Sequence, residues 1–187
     1  MSDVEVLALE IKQYVGPDQK TLIPRIYGQS AKVQTQKSRA KAKRSWDEPS
    51  FLKELRERAG PEEFATVAKI LDWAKKRNLR LWWGKGAEQG SCYLQLDHKD
   101  EIHYTVSLWT SNRVEVQFYY LVNRPIYNSV EKRNEIRLKL NQIPGVNLSE
   151  DVITRLPNFP ISRLNDDRPL KIFFETWDKY IDEIRAH

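Results

Sequence analysis

From Ser91 to Tyr120 apolar and polar positions change places every second residue, the period of a strand with one face buried. Cys92, Leu94 and Leu96 alternate with Tyr93, Gln95 and Asp97. Ile102, Tyr104, Val106 and Leu108 alternate with His103, Thr105 and Ser107, and Val114, Val116, Phe118 and Tyr120 with Arg113, Glu115 and Gln117. The connections at 97–100 and 110–112 are short enough for hairpins. With an earlier strand at 79–83, the pattern predicts a four-stranded antiparallel meander.

Helical spacing surrounds it. Asp47 precedes Pro49 as cap and first-turn proline of one helix that closes at Gly60, and Pro61 opens a second with Phe64, Val67, Ile70, Leu71 and Ala74 on one face. Asn78 is placed to end that helix in a left-handed conformation. A third helix is predicted over 128–142, with Val130, Ile136, Leu140 and Ile143 inward. The last, over 169–185, carries Leu170, Phe173, Phe174, Trp177, Ile181 and Ile184 at helical spacing and should dock on the sheet. Residues 46–187 therefore read as one α+β domain with a helix-flanked four-stranded antiparallel sheet.

Residues 1–45 read differently. Val4 to Tyr14 is apolar on both faces, the pattern of a central strand covered on two sides. Gly16-Pro17-Asp18 marks a turn, 21–26 a second strand broken by Pro24, and 29–44 a helix with a thin apolar stripe.

Charge separates the same two parts. The first 45 residues hold nine Lys or Arg against four Asp or Glu, an excess of five, and the other 142 balance at 22 of each. Lys32, Lys37, Arg39, Lys41, Lys43 and Arg44, with Gln29 among them, form a run without one acid. Such a run neutralises phosphates and releases their counterions, so these residues are expected to contact a DNA backbone, a solvated linker helix being the alternative. No apolar stretch reaches the length of a membrane span, and a cytoplasmic protein is expected. One cysteine, Cys92, and three histidines provide neither an internal disulfide nor a zinc framework.

Glu10-Ile11-Lys12 places a carboxylate and an ammonium on the same side of an apolar strand, where burial would be costly without a partner or a metal. With its flanks, Leu7 to Tyr14, the segment resembles the acid-x-lysine strand of the PD-(D/E)XK nucleases. The resemblance implies an N-terminal remnant of a restriction-endonuclease-like α/β sheet, Glu10 as a Mg²⁺-binding acid, Lys12 as the catalytic lysine, and Mg²⁺-dependent DNA cleavage. The family's earlier aspartate has no match, since Asp3 lies on the same strand. Either a missing upstream segment or a second copy in a homodimer supplies it, or the strand is a degenerate remnant in a non-catalytic DNA-binding or protein-interaction module. Residues 46–187 are similar to an uncharacterised C-terminal domain that follows such modules in bacterial proteins, through Phe51 to Leu55, Trp83 to Gly86 and Ser107 to Trp109.

Three further features carry expectations of their own. Trp82 shares a face with Arg80 and is expected to cover a second layer, with stacking on a base or ligand as the alternative. Asp97, His98, Asp100 and His103 crowd one hairpin and read as a polar turn rather than a metal site. Cys92, on the apolar side of its strand, reads as a buried thiol.

Overall fold

The computed structural model describes residues 8–15, 20–27 and 45–187, with side chains in the first two segments described for residues 10–13. The chain forms two compact units, Met1–Ala42 and Lys43–His187.

In the first unit, β1 (Ala8–Val15) and β2 (Lys20–Tyr27) form an antiparallel ribbon in which Glu10 pairs with Arg25, Ile11 with Pro24 and Lys12 with Ile23. The expected break at Pro24 does not occur. A two-stranded ribbon has two edges, and a proline without an N–H is accommodated at an edge. Among the described residues β1 has β2 as its one neighbour, and Ile11 is exposed. The expectation of a central, doubly covered strand is corrected accordingly. Residues 29–44, including Gln29, Lys32, Lys37, Arg39, Lys41, Lys43 and Arg44, lie outside the described residues, as does Asp3.

The second unit is α+β. Its elements are α1 (Glu48–Arg58), α2 (Pro61–Lys76), β3 (Arg80–Trp83), β4 (Ser91–His98), β5 (Glu101–Trp109), β6 (Arg113–Val116), α3 (Phe118–Leu121), α4 (Val130–Leu140), β7 (Asn158–Pro160) and α5 (Asp167–Ala186). Asp47 and Ser50 form a reciprocal capping box at the start of α1, Pro49 and Pro61 occupy first turns, and Asn78 follows α2 with φ 53°.

The strands form one antiparallel sheet in the order β3-β4-β5-β6-β7. The sheet is thus five-stranded, not four. The added strand is three residues with a proline at its end, too short for alternation to reveal, and it closes the β6 edge by pairing Phe159 with Val114. The fourth strand of the expected meander, β6, also stops earlier than its alternation suggests. Phe118 to Leu121 turns into α3, which buries Phe118 and Leu121 and exposes Tyr119 and Tyr120.

One face of the sheet carries Cys92, Leu94, Leu96, Val106, Leu108, Val114 and Val116, which join Phe51 and Leu55 of α1, Val67, Ile70 and Leu71 of α2, and Phe173, Trp177, Ile181 and Ile184 of α5 in a single core. On α4, Ile136 and Leu140 point inward as expected, but Val130 is exposed and the inward positions one turn apart are Arg133 and Arg137. No helix among the described residues is long and apolar enough to cross a membrane.

Candidate functional site

The second face of the sheet is lined by aromatic rings, and the short helix α3 reaches its edge through Tyr120. Register places the residues in rows. Trp82 pairs with Tyr93, Tyr93 with Ser107, and Ser107 with Glu115, while Arg80 pairs with Gln95 and Gln95 with Tyr104. Trp82 meets Tyr93 edge-on with ring centroids 5.2 Å apart, and Tyr93 meets Trp109 at 6.4 Å. On the other side Tyr104 stacks on Tyr120 of α3 at 4.4 Å. Between the two groups lies an open cavity of about 350 Å³, lined by Arg80, Trp82, Tyr93, Gln95, Ile102, Tyr104 and Tyr120.

A β-bulge makes this face aromatic. Gln95 faces Tyr104, but Tyr93 faces Ser107, so Thr105 and Val106 together oppose Leu94. Thr105 Oγ1 donates to the Leu94 carbonyl (2.9 Å) and pins the bulge. Before it, Ile102 and Tyr104 point to the open face; after it, Val106 and Leu108 point to the core. Strict alternation assigns all four to one side, which is why the sequence pattern hides the platform.

The polar groups around the rings are fixed. Arg80 grips Asp97 through two hydrogen bonds of 2.7 Å and holds that carboxyl below the usual carboxylate range. The Arg113 guanidinium lies 5.2 Å over the Trp109 ring. Ser107 Oγ accepts from Trp109 Nε1 and Gln117 Nε2, both at 2.9 Å, and donates to Glu115 Oε1 at 3.1 Å. Burial, reinforced by Glu115, raises the Tyr93 phenol above its ordinary range, so the ring stays neutral.

Trp82 is 44% exposed and covers no second layer of its unit. Glu10 and Lys12 do sit on one side of β1, with Lys12 Nζ 3.9 Å from Glu10 Oε1, but their side chains are 41% and 47% exposed. Neither charge is buried in this ribbon, so the pair bears little desolvation cost and contributes little stability.

Among the described residues no group of three or more His, Cys, Asp or Glu is arranged to hold a metal. At the 97–103 hairpin Asp97 is engaged by Arg80, and Lys99 and Asp100 take the left-handed turn conformation. Cys92 is fully buried and burial pushes its thiol up, so it is a packing residue.

His103 is buried on the core side, with its Nδ1 lacking a hydrogen-bond partner. Burial lowers its pKa from the ordinary 6.5, helped by Arg124 and His98 and opposed by Glu101. The folded protein therefore holds a neutral imidazole. Its contribution is complete above the unfolded value and is lost as pH falls through about 6.5 toward the folded value. Urea titrations between about pH 7.5 and about pH 5.5 should show falling stability, and His103→Gln should flatten that fall. An equal slope in both proteins would assign the effect elsewhere.

A scan against protein-family models, a search of curated proteins and a search of solved structures each return no match to this chain.

Proposed function

We infer that the second unit binds single-stranded nucleic acid on the open face of its sheet, within a chain related to the PD-(D/E)XK DNA endonucleases. The observation that carries this reading is the exposed Trp82 and half-buried Tyr93 facing the stacked pair Tyr104 and Tyr120 across one cavity, with Trp109 edge-on behind Tyr93. Every base offers a π face, and unpaired bases gain about 1–3 kcal/mol each by stacking on such rings. A base inside a duplex cannot reach them. Arg80 and Arg113 border the rings, and the acid-free run Lys32 to Arg44 gives the same chain a means of neutralising phosphates.

The test is fluorescence anisotropy of the full chain with a labelled single strand and with the same strand in a duplex. The single strand should bind more tightly, with an affinity that falls as salt rises. Equal or tighter binding to the duplex, or no binding to either, overturns the reading.

A second reading, Mg²⁺-dependent DNA cleavage, is favoured by the adjacency of Glu10 and Lys12 on β1. Mg²⁺ is held by oxygen ligands, commonly one or two carboxylates with substrate phosphates. Glu10 supplies one such carboxylate, and under this reading the family's second acid comes from outside the described residues or from a second copy. Under this reading plasmid cleavage in Mg²⁺ is lost in both Glu10→Ala and Lys12→Ala. Equal cleavage by the variants and the parent removes the two residues from any catalytic role.

A further inference from the structure

The short helix α3 turns two neighbouring rings outward. Phe118 and Leu121 are buried, which leaves Tyr119 and Tyr120 on the surface, and Tyr119 is 60% exposed, more than Trp82. Tyr120 stacks on Tyr104, and Tyr119 meets Tyr120 at 5.3 Å with the ring planes 88° apart. Tyr120 is also a wall shared by two cavities. One is the platform cavity; the other, of about 420 Å³, is lined by Tyr119, Tyr120, Val122, Asn123, Arg124 and Thr154.

The second cavity repeats the chemistry of the first, with rings beside a guanidinium and neutral hydrogen-bonding groups. Its parts are held in place. The Tyr119 N–H donates to the Arg155 carbonyl at 2.9 Å and the Tyr120 N–H to the Gln117 carbonyl at 3.0 Å. Arg124 Nη1 lies 3.7 Å from Glu101 Oε1, and a guanidinium with five donors keeps N–H groups for a second anion. A lone exposed tyrosine needs no explanation. One that carries a row of rings into a second cavity lengthens a stacking surface.

We propose that a single strand bound at the platform continues past Tyr120 into this cavity, where Tyr119 stacks one further base and Arg124 takes the phosphate between the two bases. This rests on the single-strand reading of the platform. The 88° between the rings requires successive bases to turn relative to each other. An unpaired strand can splay its bases in this way, whereas a duplex keeps them stacked.

The experiment measures anisotropy of labelled oligo-dT of about ten nucleotides, within the range of known single-strand sites. It uses the full-length parent, Tyr119→Ala, Tyr119→Phe, Arg124→Gln, Trp82→Ala and the double variant Trp82→Ala with Tyr119→Ala, with thermal unfolding of each. Tyr119→Ala should weaken binding about tenfold, and Tyr119→Phe, which keeps the π face, should stay within about twofold of the parent. The double variant should lose the product of the two single factors, because the two rings hold different bases. Arg124→Gln should lessen the slope of log affinity against log salt by about 0.7, the share of one phosphate on a single strand. Tyr119→Ala should unfold with the parent, since the ring it removes is exposed.

Unchanged affinity in Tyr119→Ala beside a loss in Trp82→Ala overturns the proposal and leaves the platform reading intact. An unchanged salt slope in Arg124→Gln, or a double variant that binds no more weakly than Trp82→Ala, does the same. Early unfolding of Tyr119→Ala makes Tyr119 a packing residue and also overturns the proposal. A parent that does not bind oligo-dT fails the platform reading itself, and the proposal with it.

Discussion

Replacing Trp82 by alanine lowers the affinity of the full chain for single-stranded DNA by about tenfold to a hundredfold, the loss expected when one base forfeits its stacking partner. The fold itself loses little. Trp82 is 44% exposed and its main aromatic contact is edge-on with Tyr93, an arrangement worth about 0.5–1.5 kcal/mol beyond burial. The melting temperature should therefore fall by only a few degrees, at about 2–4 °C per kcal/mol for a unit of this size. Two controls separate stacking from a general disturbance. Trp82→Phe keeps a π face and should recover much of the affinity. The alanine effect should also be the same factor at low and high salt, because stacking releases no counterions, whereas the affinity of each protein taken separately falls with salt. Unchanged affinity in Trp82→Ala would remove the platform from the binding site.

Elements whose pattern repeats without interruption were legible in the sequence. In α5 the positions Leu170, Phe173, Trp177, Ile181 and Ile184 hold one stripe over about four turns, and all five are buried, with Phe174 half-buried beside them. In β4, Cys92, Leu94 and Leu96 face the core as alternation requires. Legibility failed where a local event reset the period. The bulge opposite Leu94 moves Ile102 and Tyr104 to the open face, and no residue type in that stretch announces it, since Thr105 is an ordinary strand residue until its hydroxyl finds the Leu94 carbonyl. The turn of Phe118 to Leu121 into α3 is set by long-range hydrogen bonds, Tyr119 N–H to the Arg155 carbonyl among them, which lie 36 positions apart in sequence. Trp82 could be placed on the Arg80 face, but whether that face was covered depended on where every helix went. Gln95 is the extreme case, because its side-chain oxygen, buried without a hydrogen-bond partner, is visible as such only when all of its neighbours are known.

Arg133 is the position where the same reasoning predicts the largest stability effect. Arginine within an amphipathic pattern reads as a solvent residue, yet Arg133 is 3% exposed on α4. Its Nε donates to the Ile153 carbonyl at 2.9 Å and its Nη1 to the Tyr127 carbonyl at 2.7 Å. One planar guanidinium thus ties the loop before α4 and the 3₁₀ turn Glu150–Thr154 to the helix, a geometry that a single ammonium cannot reproduce. Burial lowers its pKa, but a guanidinium in a protein stays charged, so both bonds are charge-assisted. Removing them, and leaving a void, should cost about 3–5 kcal/mol in Arg133→Ala, with Arg133→Lys recovering only a minor part. In thermal unfolding that is a fall of about 6–20 °C. The consequence extends to the platform. The chain segment Arg133 holds at Ile153 continues to Arg155, whose carbonyl receives the Tyr119 N–H, and the next residue, Tyr120, is the ring stacked on Tyr104. At temperatures where Arg133→Ala remains folded, single-strand affinity should still fall, by less than in Trp82→Ala, because one wall of the cavity has lost its brace. Unaltered unfolding in Arg133→Ala would show that the two carbonyls find other donors, and would break the link from α4 to the binding face.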